Sequence, residues 1–144
     1  MTEQPGWLPQ AHVPVLRLDD VLLVAIQGDL RDENAERLQY DVLQHIADSP
    51  ATGVVIDISS VEVVDSFLGR VLAEIAAGAE LLAARTVVAG MRPTVAITLV
   101  ELGLTLTGLR TALDVQSALR MLREHPAPAA REHGERGAYD YDRS

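Results

Sequence analysis

An acidic residue followed by a serine, Asp65-Ser66, stands where an apolar run gives way to a helical pattern in this 144-residue chain. A hydroxyl at the opening of a helix faces backbone N–H groups without partners and the positive end of the helix dipole. Phosphate is held well at such a place, so the hydroxyl is a candidate switch. The same position suits an N-cap worth about 1 kcal/mol. Residue types alone favour the cap, because they give no reason for an enzyme to address this serine.

Other constellations offer less. The four histidines, His12, His45, His125 and His133, do not cluster as metal ligands must. Asp19-Asp20 reads as a turn, and Asp140 and Asp142 fall in the C-terminal tail. Asp57 ends an apolar strand, where α/β proteins place their sites, but neighbouring Ser59 and Ser60 can satisfy it. The chain has no cysteine, which removes thiol chemistry and cysteine metal sites together. It also has no G-x-S-x-G, Walker A, G-x-G-x-x-G or H-E-x-x-H run. The expectation is a protein without catalysis, cofactor or metal.

A net charge of -9 argues against nucleic acid and against an anionic membrane surface. Aromatic residues make up only 3%, so the core must be aliphatic. Residues 1–12 contain Glu3, Pro5 and Pro9 and no signal-peptide pattern. The longest apolar run, Val21 to Ile26, is too short to span a bilayer. A soluble, cytoplasmic protein is expected.

The elements that must hold Asp65-Ser66 follow from periodicity. Val13 to Leu18 and Val21 to Gln27 read as an opening hairpin about the Asp19-Asp20 turn. A polar loop, with Asp32 or Asn34 available as cap, leads to a helix carrying Ala35, Leu38, Val42 and Ile46 and ending near Asp48. Val54 to Ile58 is a buried strand, and a helix from Ser66 carries Leu68, Val71, Leu72, Ile75, Ala79 and Leu82. Thr86 to Gly90 is a further strand. A short helix then runs from Pro93 toward Gly103, and it is apolar enough to be covered by the domain or by a partner. A weak strand at Leu109 to Ala112 precedes a last helix capped by Asp114. The order predicts an α/β domain over residues 13–124, with about four helices on a mostly parallel sheet that opens with an antiparallel hairpin. Residues 1–12 are expected to form a flexible leader and 125–144 a disordered, Pro-, Gly- and charge-rich tail.

The stretch Val54-Val-Ile-Asp-Ile-Ser-Ser-Val-Glu-Val-Val-Asp-Ser-Phe-Leu68 resembles the motif region of the STAS domain, the fold of anti-sigma factor antagonists. Gly90-Met-Arg-Pro-Thr-Val-Ala-Ile-Thr-Leu-Val-Glu-Leu-Gly103 and Leu22-Leu-Val-Ala-Ile-Gln27 look like the bacterial stressosome subgroup, and within it the single-domain scaffold type. Many simple antagonists carry Asp-Ser-Ser-Gly where this chain has Asp-Ser-Phe-Leu-Gly, which favours the scaffold.

The resemblance places the family's phosphoacceptor on Ser66, with Asp65 before it, and puts Thr98 near a second site phosphorylated in sensor paralogues. Asp65, Phe67 and Leu68 become the expected partner contacts. It implies a phosphoregulated scaffold that holds a serine/threonine switch kinase and releases it when Ser66 is phosphorylated, in control of a general stress response. The implied partners are that kinase, larger STAS-domain paralogues, a phosphatase acting on Ser66, and further copies of the chain in a large assembly. The alternative is a simple antagonist that binds an anti-sigma kinase one to one.

Overall fold

In the computed structural model, residues 13–27, 32–103 and 109–124 are described. The expected leader 1–12, part of the polar loop at 28–31, and the tail 125–144 lie outside them. The elements are β1 (Val15–Leu18), β2 (Val21–Gln27), α1 (Asp32–Asp48), β3 (Gly53–Ser60), α2 (Ser66–Leu81), β4 (Arg85–Ala89), α3 (Pro93–Glu101), β5 (Arg110–Ala112) and α4 (Val115–Glu124).

The five strands form one sheet in chain order, with β1 antiparallel to β2 and every other pair parallel. This is the expected mixed α/β architecture. Side chains alternate across a strand, so each strand feeds two layers. Leu22, Val24, Ile26, Val54, Ile56, Ile58 and Val88 meet the apolar stripes of α1 and α2 together with Val95 and Leu99 of α3. On the other face Val21, Val55, Val87 and Ala89 pack against Ala118 and Leu122 of α4. β3 therefore lies covered on both faces, which is why its sequence is apolar without alternation.

Several boundaries differ from the sequence reading. β1 starts at Val15, leaving Pro14 outside a ladder in which it cannot donate. α1 begins at Asp32, so Asn34 lies within its first turn and is not its cap. α2 stops at Leu81; Leu82 is its C-cap, and Ala83 turns the chain away at φ 66°. Asp114 caps α4 as expected, its Oδ1 accepting from Ser117 N at 2.7 Å, and that bond holds its carboxyl below the usual range.

For α3 the structure separates the two expected sources of cover, the domain and a partner. Its position is as expected, with Pro93 at the start and Gly103 just past the end at φ +72°. It is not largely covered by the domain. Only Val95 and Leu99 are buried, while Ile97, Val100 and Leu102 stay exposed at 56%, 76% and 46%. One side of a nine-residue helix meets the core, and the rest faces outward.

Candidate functional site

The segment between β3 and α2 is held at three places. Val61 donates its N–H to Ile58 O at 3.0 Å as the strand ends. Val61 and Val64 then enter the core at 1% and 7% exposure, while Glu62 and Val63 stay outside. From the far side Arg92, at the entry to α3, donates Nε–H to Ser59 O at 2.9 Å, and its guanidinium lies 3.9 Å from Glu62. Two buried valines and one arginine thus fix where Asp65 and Ser66 emerge.

Asp65 is the cap. It has extended backbone, and its Oδ1 accepts from Leu68 N at 2.9 Å. Ser66 is therefore the first helical residue, and its side chain is exposed. Among the described residues, the N–H groups of Ser66 and Phe67 have no hydrogen-bond partner. The two readings of this junction consequently separate onto two residues. Asp65 terminates the helix, which leaves the Ser66 hydroxyl without a structural duty beside two free donors and a helix dipole.

This division predicts that Asp65→Ala lowers stability in urea by about 1 kcal/mol, whereas Asp65→Asn, which can still accept from Leu68 N, changes it little. Equal losses in both variants would remove the cap role.

The expected partner residues are not equivalent. Leu68 is 4% exposed and belongs to the core, so it offers a partner no surface; the i, i+3, i+4 spacing that makes it part of the helix stripe also turns it inward. Phe67 is half-buried against the same core, with the Arg70 guanidinium 5.7 Å from its ring centre. Asp65 and Ser66 are exposed, and Val63 is 79% exposed beside them. Sequence reasoning misses Val63 and Arg70. A valine between two buried valines gives no sign of facing outward, but Arg70 at i+3 from Phe67 is legible in the helical spacing. Thr98 donates its hydroxyl to Thr94 O at 2.9 Å, an ordinary back-bond within α3.

Asp57 lies elsewhere, at the carboxyl edge of the sheet. With Ser59, Gly90 and the start of α4 it lines an open hollow of about 350 Å³. Its Oδ1 accepts from Ser59 N at 3.0 Å, the local role expected for it. The other acid there, Asp114, is engaged by its own helix. No group of three or more potential metal ligands occurs among the described residues. Nor is any helix there long and apolar enough to cross a membrane.

The STAS domain family matches residues 12–118. The chain belongs to that family. Against a serine-to-glutamate variant of RsbS from Moorella thermoacetica it is 46% identical with a TM-score of 0.70, over 78% of this chain and 95% of that one. A chain from the molecular architecture of the stressosome, described as a signal integration and transduction hub, is also 46% identical, with a TM-score of 0.69 over 77% and 96%. The RsbT co-antagonist protein RsbRA of Bacillus subtilis is 27% identical over 108 residues, 75% of this chain. The STAS chain spans only about two-fifths (39%) of that curated relative's length.

Proposed function

We propose that this STAS domain is a non-catalytic, phosphoregulated scaffold of a bacterial stressosome, acting in the cytoplasm. It co-assembles with larger paralogues of the RsbR type and with further copies of itself, and it holds a serine/threonine switch kinase on the surface around Ser66. In the regulatory step, Ser66 Oγ attacks the γ-phosphorus of ATP bound to the kinase. The bond to the β-γ bridging oxygen breaks, ADP leaves, and the hydroxyl proton passes to the kinase's base. The new group adds a charge of roughly -1.5 to -2 beside Asp65 and three acceptor oxygens. The domain can carry that charge, because free N–H groups and the helix dipole lie at its base. An interface closed over the neutral serine cannot, since it would bury the charge against an acidic neighbour. The kinase is then released to act elsewhere, and a phosphatase resets Ser66.

The observation that carries this reading is the division of labour at the junction: Asp65 caps α2 and Ser66 stands exposed, free of that task. The similarity to RsbS along 95% of its length supports the scaffold over other uses of the fold. Incubation with the cognate kinase and Mg-ATP, followed by mass-spectrometric mapping, should find phosphate on Ser66 and none on Thr98. An unmodified Ser66 would return the junction to a purely structural role. Mixing with paralogues should yield a very large particle; a small one-to-one complex with an anti-sigma kinase would instead indicate a simple antagonist.

A further inference from the structure

Arg70 is the only basic residue in α2, and its place in that helix gives it two possible partners. It follows Phe67 by three residues and Ser66 by four, so all three side chains lie on neighbouring positions of one helical surface. In the unphosphorylated chain its guanidinium stands 5.7 Å from the Phe67 ring centre, within cation–π range. Among the described residues no carboxylate pairs with it. Among the described residues, a second cation near the junction, Arg92, is already committed to Ser59 O and Glu62.

We propose that Arg70 reads the phosphate: phosphorylation of Ser66 draws the guanidinium off the Phe67 ring and onto the phosphate oxygens, and so uncovers that ring. This rests on the reading of Ser66 as a phosphoacceptor and extends it to the residue that converts the new charge into a change of surface. The chemistry favours the transfer. A planar fork of N–H donors matches a phosphate better than it matches a ring face, and the charge-assisted bonds formed are the stronger contact. Phosphate at position i and arginine at i+4 are within reach along an intact helix, so no backbone need move. Phe67 is half-buried, so losing its cover changes what a partner meets without opening the core. Arg70 is a positioning residue in this scheme, since it touches neither ATP nor the reacting oxygen.

Phe67 is the only phenylalanine in the chain, so 4-fluorophenylalanine labelling gives a single ¹⁹F resonance that reports on this ring. Phosphoserine can be placed at position 66 during translation, with no kinase involved. Four full-length proteins are compared: with and without phosphoserine, each with Arg70 or carrying Arg70→Gln. Phosphate should shift the resonance when Arg70 is present. Arg70→Gln alone should move it in the same direction, and phosphate should then add little, the non-additivity expected of coupled groups. Arg70→Lys, which keeps the charge without the fork, should give an intermediate response. Equal phosphate-induced shifts with Arg70 and with Arg70→Gln would overturn the proposal. Because phosphate is installed without a kinase, this outcome is independent of phosphosite mapping. The relay can fail while Ser66 remains a kinase substrate, or hold while the kinase reading fails.

Discussion

Ser66→Ala is expected to retain capture of the switch kinase through rounds of ATP addition, whereas Ser66→Asp is expected to bind it about tenfold more weakly or worse, a loss of about 1.4 kcal/mol. The alanine variant removes the phosphoacceptor and leaves the surface otherwise neutral, so nothing remains to trigger release. Aspartate places one negative charge where phosphate would place nearly two, next to Asp65, and its effect should therefore be a lower bound on that of the modification. The direction cannot be attributed to misfolding. An acidic residue in the first turn of α2 lies at the positive end of the helix dipole, so Ser66→Asp should melt no lower than the parent. Weaker binding at undiminished stability is the signature of an interface effect. Titration calorimetry with purified kinase measures the first and thermal unfolding the second. Equal affinity of the two variants would sink the switch.

The layout of this site is legible where burial and local spacing decide it. The apolar run of β3, the Asp-Ser at the helix opening and the stripe of α2 are each properties of adjacent residues, and the structure places them as expected. What cannot be read depends on residues distant in sequence. Arg92 holds Ser59 O across 33 positions, and no local pattern announces that contact. Val61, Val63 and Val64 are chemically alike, yet tertiary packing takes the first and third inward and leaves the second outside. Leu68 shows the opposite failure. Its membership of the apolar stripe already assigns it to the core, but its closeness to Ser66 invites a role as a partner contact. For α3 the sequence leaves cover by the domain or by a partner open, because composition reports how apolar a helix is, not what covers it. Ile97 and Val100 remain exposed because only one side of α3, carrying Val95 and Leu99, joins the core.

The remote support of the site can be tested at Gly90, where Gly90→Ala is expected to cost about 2–4 kcal/mol, the sum of left-handed strain and overpacking. Gly90 follows β4 at φ +77°, a conformation that side chains with a Cβ rarely adopt. A Cβ there would come within 2.8 Å of Ser59 Cβ, 3.1 Å of Asp57 Oδ1 and 3.2 Å of Ser59 Cα. Ser59 has little room to yield. Its N–H donates to Asp57 and its carbonyl accepts from Arg92, so moving it disturbs both ties that fix the end of β3. Gly103 is the internal control: it has a similar φ of +72°, yet among the described residues a Cβ added there would meet nothing within 4 Å. Gly103→Ala should therefore cost only the backbone strain, about 1 kcal/mol. Urea unfolding of the two variants separates the contributions, the excess at Gly90 being the packing against Ser59. Because Ser59 leads through Val61 and Val64 to Asp65, the amide resonance of Ser66 should move in Gly90→Ala and stay in place in Gly103→Ala. If the two substitutions cost the same and neither moves Ser66, the strand end does not position the junction, and the buried valines alone must do so.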